Sequence, residues 1–79
     1  MKFVTLRVDV GPPRDIVEIE LPGVTTLRYA GLRFAEYLGL DTDSFHFFLM
    51  APDTKQPVTP EALAADYEDR TFVLGCAPF

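Results

Sequence analysis

The chain has 79 residues, a net charge of −5 and a single cysteine. That length holds one small domain, whose core must be rich in large side chains; seven phenylalanines and three tyrosines supply them. The acidic balance argues against nucleic acid as a partner, and the lone Cys76 excludes an internal disulfide and makes a cytoplasmic location the default expectation.

Residues Lys2 to Val10 alternate, with Val4, Leu6, Val8 and Val10 on one face and Phe3, Thr5, Arg7 and Asp9 on the other. This is the period of a half-buried strand. Gly11-Pro12-Pro13-Arg14-Asp15 is a turn by its chemistry. Ile16 to Leu21 alternates again, with Val17, Ile19 and Leu21 inward and Glu18 and Glu20 outward, so the two runs predict a hairpin. Pro22-Gly23 ends it. Thr25 or Thr26 then caps a helix whose stripe is Leu27, Ala30, Phe34 and Leu38, and Gly39 stops that helix where a left-handed residue is wanted.

Asp41 to Ser44 is a turn, and Phe45 to Met50 is a third strand that is apolar on both faces. Phe45, Phe47 and Leu49 share one face; His46, Phe48 and Met50 share the other. Val58 is a candidate for a short further strand, and Thr59-Pro60-Glu61 opens a helical turn with Leu63 as its core residue. Arg70 to Gly75 is the last strand, with Phe72 and Leu74 inward and Thr71 and Val73 outward. The predicted core is Val4, Leu6, Val8, Val17, Ile19, Leu27, Phe34, Leu38, Leu40, Phe47, Leu63, Phe72 and Leu74.

Two strands, one helix, then further strands is the order of an α+β β-grasp, a mixed sheet wrapped on one helix. A ferredoxin-like sandwich needs one strand before its first helix and a second full helix later, and neither is present. The spacing resembles ubiquitin over nearly the whole chain. Thr26-Leu27 and Gly39-Leu40 bracket the helix as a Thr-Ile and a Gly-Ile do there. Phe47-Phe48-Leu49-Met50 is similar to its Leu-Ile-Phe-Ala strand, and Lys55-Gln56 to its following Lys-Gln. Leu63 through Asp66-Tyr67 resembles Leu-Ser-Asp-Tyr, and Thr71-Phe72-Val73-Leu74 resembles the closing Thr-Leu-His-Leu. The end departs from that family: Leu74-Gly75-Cys76-Ala77-Pro78-Phe79 stands where ubiquitin and the sulfur carriers have a flexible diglycine tail.

Catalytic chemistry finds little support. His46 is the only histidine, and no basic neighbour flanks Cys76 to favour its thiolate. The pairs Asp41/Asp43 and Glu68/Asp69 read as solvated turn carboxylates rather than a metal site, and the five glycines form no phosphate loop. No segment is apolar and long enough to span a membrane, and the opening residues lack a signal-peptide pattern. No enzyme activity, cofactor, metal or membrane partner is expected.

The resemblance implies a bacterial ubiquitin-like protein, with two functional expectations. In the first, the chain is a protein modifier or its precursor. A protease trims the short extension 76–79, Pro78 keeping it out of regular strand, and activating and conjugating enzymes use a carboxylate at Gly75 or Cys76. In the alternative, it is a non-covalent adaptor, similar to the ubiquitin-like accessory proteins of type VII secretion machinery. It would bind partners, or itself, through an exposed sheet face of His46, Phe48, Met50 and Val73.

Overall fold

The alternation in the first twenty residues becomes the hairpin it predicts. The computed structural model describes residues 2–79, and within them strand β1 (Phe3–Gly11) pairs antiparallel with strand β2 (Asp15–Pro22). Val4 lies opposite Leu21, Leu6 opposite Ile19 and Val8 opposite Val17, so these six apolar positions fall on one face. Strand β3 (Phe45–Met50) pairs antiparallel with strand β4 (Thr71–Pro78), and β4 lies parallel to β1 with Val8 beside Phe72. The sheet order is β2-β1-β4-β3. Helix α1 (Leu27–Tyr37) crosses the inner face of this sheet, which completes the α+β, ubiquitin-like β-grasp arrangement.

Both ends of the helix are satisfied. Thr26 is the cap, its hydroxyl accepting from the Tyr29 amide at 3.3 Å. The next two free amides, Leu27 and Arg28, donate to the carbonyls of Ala62 and Pro60. At the other end Gly39 takes φ +74°, its amide donates to Glu36, and the Leu40 amide reaches back to Ala35. That pair of bonds is a Schellman closure, which the glycine permits because it has no Cβ to clash.

Val4, Leu6, Val8, Val17, Leu21, Leu27, Ala30, Phe34, Leu49, Ala64 and Phe72 form one buried cluster. Ile19, Leu38 and Leu74 pack against it while remaining partly exposed. Three expected core residues need correction. Leu40 is 41% and Leu63 39% exposed, and Phe47 is only half-buried. Leu49, 2% exposed, is the sealed β3 residue, whereas Phe47 borders the open clefts on either side of the helix, with Leu38 and Leu40 on one and Tyr29 and Leu32 on the other. The helical turn expected to open at Thr59-Pro60-Glu61 is there only a single turn closed by the Ala62 amide on the Thr59 carbonyl; the 3-10 helix lies four residues further on, over Ala64–Tyr67, and Ala64 rather than Leu63 takes the buried position. Val58 belongs to no strand; its amide donates to the Leu49 carbonyl beside an isolated bridge between Met50 and Pro57. Among the described residues no helix is long and apolar enough to cross a membrane.

Candidate functional site

An antiparallel ladder places directly opposed residues on the same face. In β3 and β4 the opposed pairs are His46 with Ala77, Phe48 with Gly75 and Met50 with Val73. These point to the outer face, since Leu49 and Leu74 share the core side. The four residues expected to form an apolar face are therefore brought together. The His46 and Phe48 rings lie 5.6 Å apart between centroids, and Met50 and Val73 continue the row toward β1.

Two features of this face were not anticipated. Gly75 is its floor: a Cβ built there would stand 2.5 Å from Cε2 of Phe48 and 2.9 Å from Sδ of Met50. The absent side chain thus lets the Phe48 ring lie flat on the β4 backbone, which leaves Gly75 buried. Phe79 is its extension, with its ring 6.1 Å from His46 and its amide donating to the Ser44 carbonyl at 3.2 Å. No motif signals Phe79. The available clue was parity, because residues 73, 75, 77 and 79 share a face if the strand simply continues.

It does continue, which corrects the expectation that Pro78 holds residues 76–79 outside regular structure. β4 runs through Pro78, and Phe45, His46 and Phe47 oppose Pro78, Ala77 and Cys76. Proline is tolerated because Phe45–Pro78 is a position where neither residue bonds across the pair; the bonded neighbour is Ser44–Phe79. The missing N–H faces the β1 side, where pairing has already stopped at Val73.

Cys76 lies on the opposite surface from Gly75, exposed, in an open cleft of about 810 Å³ beyond the end of the helix. Val10, Leu38, Leu40, Phe45 and Phe47 line it with the thiol. Asp9, Arg14 and Asp41 also border the cleft, and among the described residues no side chain hydrogen-bonds Cys76 and no three His, Cys, Asp or Glu side chains converge as metal ligands.

Across the sheet the outer face changes character. Opposite Ile16, Glu18 and Glu20 of β2 stand Asp9, Arg7 and Thr5 of β1. Arg7 Nε donates to Glu18 at 2.6 Å, and its guanidinium also lies 3.5 Å from Asp69. Apart from the exposed Phe3 and Ile16, the β1–β2 part of the face is thus charged or polar and the β3–β4 part apolar, divided between β1 and β4.

No family model matches the chain, and no curated protein matches it in sequence. Solved structures do match its fold. Among them is one titled "Designed protein dRafX6", with a TM-score of 0.58 at 18% identity, aligned over 95% of each chain. At that identity the likeness shows the fold alone.

Proposed function

We propose that the protein is a non-catalytic ubiquitin-like module of bacterial type that works without being conjugated. It grips a protein partner through the apolar half of its outer face. One observation carries this choice between the two expectations: Gly75 sits inside a paired strand, beneath the Phe48 ring and opposite its backbone. Conjugation needs a slim, mobile carboxylate that threads an activating enzyme. Freeing Gly75 here would first break the three pairs that hold Cys76, Ala77 and Pro78 against β3. It would also remove Phe79 from the patch it extends. The adaptor reading asks for no such rearrangement.

The partner implied has an apolar knob that replaces water over Phe48, Met50 and Val73. Such contacts concentrate binding energy in a few central residues. Val73→Asp would place a carboxylate in that centre without entering the core, since Val73 faces away from Leu74 and Phe72. It should weaken partner retention on the order of tenfold or more while circular dichroism stays unchanged. The covalent alternative is tested on protein isolated from its native host. Peptide mass spectrometry should find the Gly75–Cys76 bond intact and no lysine joined to Gly75. An adduct through a Gly75 carboxylate would overturn the proposal and restore the modifier reading.

A further inference from the structure

The two edges of this sheet are not equivalent, and backbone phase shows how. The Phe79 amide bonds the Ser44 carbonyl, so the bonded pairs of the β3–β4 ladder are Ser44–Phe79, His46–Ala77, Phe48–Gly75 and Met50–Val73. The N–H and C=O groups of Phe45, Phe47 and Leu49 therefore point away from β4. The Leu49 carbonyl is taken by the Val58 amide at 3.1 Å. Among the described residues no strand pairs with that side of Phe45 and Phe47. At the other edge, the bond from the Gly23 amide to the Lys2 carbonyl sets the phase, and the outward backbone belongs to Ile16, Glu18 and Glu20.

An unpaired edge is a template for another strand, and charges on it are a common defence. β2 has that defence in Glu18 and Glu20, which an antiparallel copy would meet with like charge. β3 has none: Phe45–Met50 contains no Asp, Glu, Lys or Arg. Beside its open edge lie two shallow clefts: one of about 400 Å³ lined by Tyr29 and Leu32 of the helix with Phe45 to Phe47, and one of about 260 Å³ between Phe47, Phe48 and the Pro57–Pro60 loop, Arg28 bordering both.

We propose that β3 pairs antiparallel with β3 of a second copy about a two-fold axis at His46, joining two sheets into one of eight strands. This register uses the free groups and no others. Phe45 would exchange both backbone bonds with Phe47 of the second copy, and Phe47 with its Phe45. An axis at Phe47 would need the Leu49 carbonyl, which Val58 already occupies; an axis at Phe45 would bring the acidic turn of Asp41 and Asp43 onto its own copy. On the inner side the register sets Phe45 against Phe47 of the copy, an aromatic cross-strand pair formed twice.

The available surface fits this occupant. Tyr29, Leu32, Phe45 and Phe79 are 50, 37, 39 and 82% exposed. At roughly 200 Å² per aromatic side chain they offer on the order of 400 Å² per copy. With the strand backbone, His46 and Phe47, two copies reach about 1,000–1,200 Å², the lower end of specific interfaces. The dimer leaves Phe48, Met50 and Val73 open and presents that face twice, so it stands whether or not the face binds a partner.

Two variants test the register. In a Cys76→Ser background, His46→Cys places two thiols at a non-bonded antiparallel pair, where Cα atoms are about 4.5 Å apart and within disulfide reach. Mild oxidation should give a covalent dimer, whereas Glu18→Cys in the same background stays monomeric. Phe45→Pro deletes an N–H that β4 does not use; sedimentation should change from a concentration-dependent dimer to a monomer, with circular dichroism unchanged. A wild-type protein that sediments as a monomer at all concentrations overturns the proposal. So does equal cross-linking at positions 18 and 46, or a dimer that survives Phe45→Pro and dissociates with Val73→Asp, which would be a face-to-face dimer.

Discussion

The β1–β2 half of the sheet and the β3–β4 half rest on the same core and present opposite outer surfaces. Beneath both lie Leu6, Val8, Phe34, Leu49 and Phe72 in one cluster. Above β1 and β2 stand Arg7, Asp9, Glu18 and Glu20; above β3 and β4 stand His46, Phe48, Met50, Val73 and Phe79. Exposed ion pairs such as Arg7–Glu18 add little stability, typically under about 1 kcal/mol, so the charged half is not charged in order to fold. The apolar half is not apolar in order to fold either, because its inner side already carries the buried contacts. The difference between the halves therefore concerns what each meets outside the domain. Charge keeps one half and its edge clear of other chains, and its absence leaves the other half open to them.

The largest test asks whether the halves are one cooperative unit. Phe34 is fully buried beneath both. Phe34→Ala should cost about 3–5 kcal/mol, a large part of the stability of a domain this size. Chemical denaturation should show the loss, and hydrogen exchange should show Leu6, Ile19, Phe48 and Gly75, all in hydrogen-bonded ladder pairs, losing protection together. If β3 and β4 open while β1 and β2 stay protected, the comparison is between two separate folding units rather than two faces of one.

The same division marks how far the sequence could be read. Val4, Leu6 and Val8, and Val17, Ile19 and Leu21, alternate with charged or polar neighbours, so period alone fixes their face and their register. β3 is apolar at every position but one, and its alternation carries no label. The assignment of Phe48 outward rests on fold resemblance and on Val73 as its neighbour; the ladder puts Phe48 on the outer face but opposite Gly75, with Val73 opposite Met50. The degree of burial was beyond reach, because Phe47 and Leu49 share a face and only the packing around each decides which one is sealed: Leu49 is buried, while Phe47 borders open clefts. Pro78 was misread for a related reason: it looks like an interruption in sequence, yet it lacks an N–H that no neighbour would have used. That Gly75 makes room for a ring carries no sequence signal at all.

A smaller effect should be confined to the apolar half. Gly31 brings the helix down onto β3: a Cβ there would lie 3.2 Å from the Phe48 Cα and 3.3 Å from the Phe47 carbonyl oxygen. In an exposed helix, glycine to alanine gains about 1 kcal/mol. Here the atoms that would have to move are backbone atoms of a strand already paired with β4, so overpacking wins. Gly31→Ala should destabilise the domain by about 1–2 kcal/mol net. Amide shifts in a heteronuclear NMR spectrum should change along β3 and leave Leu6 and Ile19 in place. A rise in melting temperature would show instead that the helix can ride outward cheaply, and that the close approach is not what holds β3 under it.

The smallest effect lies in the turn that delivers the chain into the apolar half. The Asp41 carboxylate accepts from the Asp43 amide at 3.0 Å and the Ser44 amide at 3.2 Å. A hydrogen bond from the Ser44 side chain, followed by these two amides, holds its pKa below the ordinary carboxylate range. A carboxyl whose folded value is depressed contributes stability that is fully present above its unfolded value and is lost as pH falls through the folded one. Because the Ser44 carbonyl receives the Phe79 amide, this turn also sets the first rung of the β3–β4 ladder. As pH falls below the ordinary aspartate range, exchange protection should therefore decline first at the amides of Asp43, Ser44 and Phe79. Leu6 and Ile19, in the other half, should hold. Asp41→Asn should remove most of that pH dependence with little change at neutral pH, since an amide oxygen still accepts from both backbone donors. Carbon-detected NMR titration reads the carboxyl directly. A midpoint for Asp41 at or above that of an unstructured aspartate would mean that the Ser44 contacts do not persist in solution, and that the apolar half is entered by a looser turn than the one described.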